Sequence, residues 1–135
     1  MNKTLKGKWY YRSFRHDPIV VKDGKVDGNP QLAIPWAPLG ELDADTDEAG
    51  KVTGTLTFTP PGVALKITGH ITPATDKLPA SIEITGEKLP TVYQIKGFFV
   101  PDTDFVVGTV LSVANDLAKQ PVGTAGAFVL FPANS

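Results

Sequence analysis

Val52-Thr-Gly-Thr-Leu56-Thr-Phe58-Thr59, then Pro60-Pro61-Gly62, then Val63-Ala-Leu65-Lys-Ile67-Thr-Gly69-His-Ile71 is a stretch whose side chains alternate on both sides of one turn. Strict alternation around Pro and Gly is the signature of a β-hairpin. Folding the arms about Pro61-Gly62 predicts the pairs Phe58/Leu65, Leu56/Ile67, Gly54/Gly69 and Val52/Ile71 on an apolar face. The other face then carries Thr59/Ala64, Thr57/Lys66, Thr55/Thr68 and Thr53/His70. A slip of one residue would turn the apolar set outward. The threonines add to the strand preference, because branching at Cβ suits a pleated surface.

The same period extends in both directions. Leu5 to Phe14 reads as a strand with Leu5, Gly7, Trp9, Tyr11 and Ser13 on one face, and Ile19 to Val21 as a short strand ended by the turn Asp23-Gly24. Asp27 to Gly50 is the least regular part: Gln31 to Trp36 and Leu39 to Leu42 are predicted as short edge strands, and the acids after them as a solvated loop. Trp36 acts there as a lid, a plug or an interface anchor. Ala80 to Lys88 places Ile82, Ile84 and Gly86 inside, and Thr91 to Val100 places Tyr93, Ile95, Gly97 and Phe99 inside, keeping Gln94 and Lys96 in water. In Phe105 to Ala114 both faces are apolar, and Phe105, Val107, Thr109, Leu111 and Val113 are taken as the core face. Asn115 to Gln120 holds at most one helical turn, and Val122 to Phe131 is a last strand with Thr124, Gly126, Phe128 and Leu130 on one face.

Short strands joined by Pro, Gly and Asp turns, with no convincing helix, predict an all-β chain: one antiparallel up-and-down barrel of about eight strands, spanning 1–135 as a single domain. Closure solves the edge problem of an open meander, and recurring mid-strand glycines fit the bending of a small barrel. A β-sandwich is the alternative.

Composition narrows the function classes. A formal net charge of −1 implies neither a nucleic-acid nor a membrane partner. Seven basic residues precede Val26 and six acids with no base lie from Asp27 to Gly50, a segregation read as solvated ends and loops. With no cysteine there are no disulfides and no thiolate metal site. The series Glu41, Asp43, Asp45, Asp47 and Glu48 lacks the spacing of a calcium loop, so no metal and no cofactor is expected. The absence of an apolar leader or a spanning run leads to an expectation of cytoplasmic residence.

Leu5-Lys6-Gly7-Lys8-Trp9 resembles the Gly-x-Trp that opens the first strand of lipocalins and avidin-like barrels, together called calycins. The resemblance implies that Trp9 plugs the closed end of a barrel. Lipocalins add a C-terminal helix that this chain does not suggest, and helix-free avidin-like meanders match its length better. The tryptophan row of a biotin site is missing, since only Trp9 and Trp36 exist, so biotin binding is not implied. Barrels resembling allene oxide cyclase share the outline, and no motif here separates them.

An aromatic inner face from Trp9, Tyr11, Tyr93, Phe99, Phe105 and Phe128, with Trp36 near its mouth and Thr109 as a hydroxyl, suits a small, mostly hydrophobic molecule carrying one or two oxygens. Two other readings stand beside it. In a cyclase or isomerase, Tyr11 or Tyr93 would donate a proton and His16 or Asp17 would remove one. In a non-catalytic homo-oligomer, the two-faced apolar strands near the C-terminus would be covered by another subunit.

Overall fold

A computed structural model describes residues 3–15, 20–27, 34–36, 39–59 and 62–133. Its strands are β1 (Gly7–Arg15), β2 (Val20–Lys22), β3 (Lys25–Asp27), β4 (Ile34–Pro35), β5 (Gly40–Thr46), β6 (Lys51–Phe58), β7 (Val63–Thr72), β8 (Ser81–Lys88), β9 (Thr91–Phe99), β10 (Val106–Ala114) and β11 (Ala125–Pro132). From β5 to β11 each strand pairs with the next, and β1 lies between β5 and β11, closing an eight-stranded antiparallel up-and-down barrel of calycin-like topology. One closed sheet replaces the two packed sheets of a sandwich. Beyond Tyr11, where β5 stops pairing, β4 continues the wall with Pro35 opposite Phe14. β2 and β3 form a separate hairpin whose turn residues Asp23 and Gly24 both have positive φ, the geometry that matches strand twist.

The central hairpin forms with the predicted faces and a different register. Its pairs are Phe58/Val63, Leu56/Leu65, Gly54/Ile67 and Val52/Gly69. The amide of Gly62 donates to the Phe58 carbonyl at 2.7 Å, and Gly62 carries the positive φ of 85° as the last residue of the loop. The first arm therefore stops at Phe58, two residues sooner than the pattern suggested, while the second still begins at Val63. A shift of two residues keeps every side chain on its face, so Leu56, Phe58, Leu65, Ile67 and Ile71 are buried as expected. Pro60 and Pro61 lie outside the described residues.

Two strands correct the sequence reading. Asp43 and Asp45 do not belong to a loop: with Glu41 they are the outward residues of β5, alternating with buried Gly40, Leu42, Ala44 and Thr46. The weak strand preference of Asp and Glu hid a clean period of two. β10 faces the opposite way from the sequence reading. Val106, Val110 and Ser112 point inward, whereas Phe105 is 46% and Val107 42% exposed and Thr109 is on the outside. The neighbours decide this, because Val106, Gly108, Val110 and Ser112 stand opposite Phe99, Gly97, Ile95 and Tyr93 of β9. A Cβ on Gly97 would stand 2.8 Å from the tip of the Phe128 ring, and one on Gly108 would overlap the Lys96 carbonyl oxygen. The glycines therefore let β9 and β10 close tightly and leave space for Phe128 inside. Thr124 also misses the interior: it sits in the loop before β11, with Oγ1 donating to the Pro121 carbonyl at 2.7 Å.

Outside, Tyr10, Phe131 and Phe105 form an edge-to-face series with centroids 5.7 and 6.2 Å apart. At one end of the barrel the chain seals itself. Leu5 is fully buried, its amide donating to Thr46 Oγ1 and its carbonyl accepting from the same hydroxyl, both at 2.9 Å. Trp9 is buried in the core and donates Nε1–H to the Lys6 carbonyl at 3.2 Å.

Candidate ligand cavity

The barrel is not filled throughout. Near the end formed by the close of β1, β6 and β10 and the start of β7 and β9 lies a cavity of about 220 Å³. Leu56, Phe58, Leu65, Ile95 and Val110 make its apolar wall, each the inward member of an alternating strand. Tyr11, Ser13 and Tyr93 supply hydroxyls, and Val63, Trp36, Leu117 and Ala118 close over it. Tyr11 packs edge-on to Phe58 with centroids 6.0 Å apart and stacks on Phe128 at 5.8 Å.

The cover is held by one buried carboxylate. Asp116, 5% exposed, follows the end of β10. Its Oδ1 accepts from Tyr93 OH at 2.5 Å and from the Ala118 amide at 3.0 Å, and its two oxygens accept from Trp36 Nε1–H at 3.2 and 3.0 Å. Tyr93 OH in turn accepts from the Leu117 amide at 2.8 Å. Trp36 is pinned a second time by its own amide, which donates to the Ser13 carbonyl at 3.1 Å. Its ring meets Tyr93 nearly perpendicularly, 85° between planes and 6.1 Å between centroids. Three segments far apart in the chain thus meet at one acceptor, and buried polar groups linked this way rigidify the region they join.

Both cavity tyrosines hold their protons more firmly than an ordinary phenol. Burial drives the shift for Tyr11, with the neighbouring Ser13 hydroxyl opposing it. Burial also drives it for Tyr93, and the hydrogen bond and charge of Asp116 add to it, while the Leu117 amide opposes. In the unfolded chain these phenols titrate near the ordinary value of 10.0. Above that pH the folded state binds more protons than the unfolded one. Stability is therefore fully present below pH 10 and falls as pH rises beyond it, by up to about 1.4 kcal/mol per pH unit for each tyrosine. Absorbance titration of phenolate is expected to show these two tyrosines ionising only together with loss of the β-sheet circular dichroism. Their free ionisation in an intact barrel would contradict this burial.

Of the residues singled out from sequence, Tyr11, Trp36 and Tyr93 line the cavity. Trp9, Phe99 and Phe128 are buried in the core but are not part of its lining. Phe105 and Thr109 lie outside the barrel, a consequence of the reversed facing of β10. His16 and Asp17 lie outside the described residues. His70 is exposed on the outer face, opposite Lys51 and Glu83. Sequence reasoning missed Asp116, Leu117 and Ala118, read only as part of a turn. The one local signal was an acid immediately after an apolar strand.

Among the described residues no three metal-ligating side chains gather, and no helix is long and apolar enough to cross a membrane. Set against known proteins, the chain matches no family model, and no curated protein or solved structure shows significant similarity to it.

Proposed function

We propose that this barrel binds a small, mostly hydrophobic molecule in the cavity under Trp36. The observation that carries the reading is a partly open space of about 220 Å³ whose wall is aliphatic and aromatic with a few hydroxyls, the usual make-up of a ligand pocket. An apolar protein cavity of roughly 150 Å³ accepts benzene, so a single ring with a short substituent is the size class that fits. The hydroxyls of Tyr11 and Ser13 give such a ligand a place to hydrogen-bond. Tyr93 is less available as a proton donor, since its hydrogen already goes to Asp116. That observation favours binding over proton-transfer chemistry centred on Tyr93.

Benzyl alcohol and p-cresol, followed by saturable shifts of the Tyr and Trp ring signals in NMR, test the reading. Ala118→Trp adds bulk at an exposed cavity-lining position whose backbone bond to Asp116 is kept. It is expected to abolish binding while leaving stability within about 0.5 kcal/mol, as surface substitutions do. Probes that fail to bind the native protein, or that bind the plugged variant equally well, would remove the cavity from consideration.

A further inference from the structure

We propose that the cavity's preferred ligand is a small organic cation, a quaternary or tertiary ammonium group on a short apolar body, with Asp116 as its counter-charge. This rests on the cavity reading above and names the chemical class of ligand. Two independent features lead to it.

The first is the ring content of the wall. Tyr11, Trp36, Phe58 and Tyr93 all line the one cavity, arranged as two steeply inclined pairs at 74° and 85°. Cations are attracted by the negative faces of aromatic rings, and an alkylated ammonium needs no hydrogen-bond acceptor once it leaves water. The second is the charge just behind the wall. Asp116 is buried, and the groups that donate to it are neutral: an indole N–H, a phenol O–H and a backbone amide. These orient the carboxylate without cancelling its charge, and the ion pairs identified among the described residues do not include it.

Buried charges in proteins are normally paired, and the space that adjoins the groups bonded to Asp116 is the cavity. Its lining holds Trp36 and Tyr93, which bond directly to Asp116, and Leu117 and Ala118, which follow it in the chain. The negative charge therefore lies one layer of side chains away from a bound ligand. Among the described residues, no Lys, Arg or His belongs to that lining. Arg15, at the end of β1, donates to Gln120 Oε1 at 3.3 Å. An anion of the same size would meet repulsion, with no compensating cation among the described lining residues.

Three nearly isosteric probes separate charge from shape: choline, its neutral carbon analogue 3,3-dimethylbutan-1-ol, and 3,3-dimethylbutanoate. In calorimetry or NMR titration of the full chain, choline is expected to bind at least tenfold more tightly than the alcohol, and the carboxylate not to saturate. Asp116→Asn, checked for an intact barrel by circular dichroism, is expected to bring the choline-to-alcohol ratio close to one. An alcohol that binds the native protein as tightly as choline, or more tightly, overturns the cation proposal while leaving the cavity reading in place, and that comparison needs no variant. The proposal is also overturned if all three probes fail while benzyl alcohol binds. If benzyl alcohol and p-cresol fail as well, the cavity reading falls with it.

Discussion

Asp116→Ala is expected to destabilise the protein by about 3 kcal/mol and to loosen the cover of the cavity. The substitution removes the common acceptor of Trp36 Nε1–H, Tyr93 OH and the Ala118 amide. Hydrogen bonds to a charged group contribute about 1.5–3 kcal/mol each, and buried donors left without a partner carry a desolvation penalty. The losses do not add in full, because the three donors share one acceptor and act as a network. For a chain of this size the deficit corresponds to a fall in Tm of roughly 10 °C. Trp36 then loses its hold on the 115–118 turn, so its fluorescence is expected to shift to the red while buried Trp9 stays unchanged. Asp116→Asn keeps one carbonyl acceptor and is expected to lose about half as much. Equal denaturant midpoints for wild type and Asp116→Ala, with unchanged emission, would show that the carboxylate does not hold the cover.

Gly126→Ala is expected to have a larger effect still, more than about 4 kcal/mol, the range reserved for backbone or core disruption. Gly126 stands opposite Arg15 on β1 and Val110 on β10. A Cβ there would overlap the Phe14 carbonyl oxygen and lie 2.7 Å from the Arg15 Cα. Both obstacles are backbone of a neighbouring strand, so relief requires parting β1 from β11 at the seam that closes the barrel. With a total stability of about 5–15 kcal/mol for ordinary domains, much of the variant is expected to be unfolded or insoluble. Gly123→Ala is the control. It has a positive φ of 95°, and a Cβ added there would meet nothing within 4 Å, so only the conformational cost of about 1–2 kcal/mol applies. Chemical denaturation of the two variants separates steric closure from backbone preference. A Gly126→Ala protein as stable as the control would mean that the seam has room for a methyl group.

Much of the fold was legible because one physical rule suffices where one face of a strand is wet. In β6, β7, β8 and β9 the polar residues occupy alternate positions, and the buried side chains are the ones the period selects. β5 obeyed the same rule but was obscured by its acids. The hairpin turn showed where the chain reverses, while the final register depended on which residue of the loop took the positive φ. The site was less legible. Tyr11 and Tyr93 could be placed inside from alternation alone, whereas Trp36 had no period to place it. Its partner Asp116 is 80 positions away in the chain.

The alternation of apolar and polar side chains determined by itself that this chain forms antiparallel strands, and it assigned the inner face wherever water and oil compete for opposite sides. Tertiary structure alone decided the facing of β10, because both of its faces are apolar and burial energy does not choose between them. The choice came from the glycines and aromatic rings of β9 and β11 that it meets. Tertiary structure alone also brought Trp36, Tyr93 and Asp116 together, since hydrogen bonds between distant segments depend on the closed barrel that places their ends at one mouth and leave no periodic trace in the sequence.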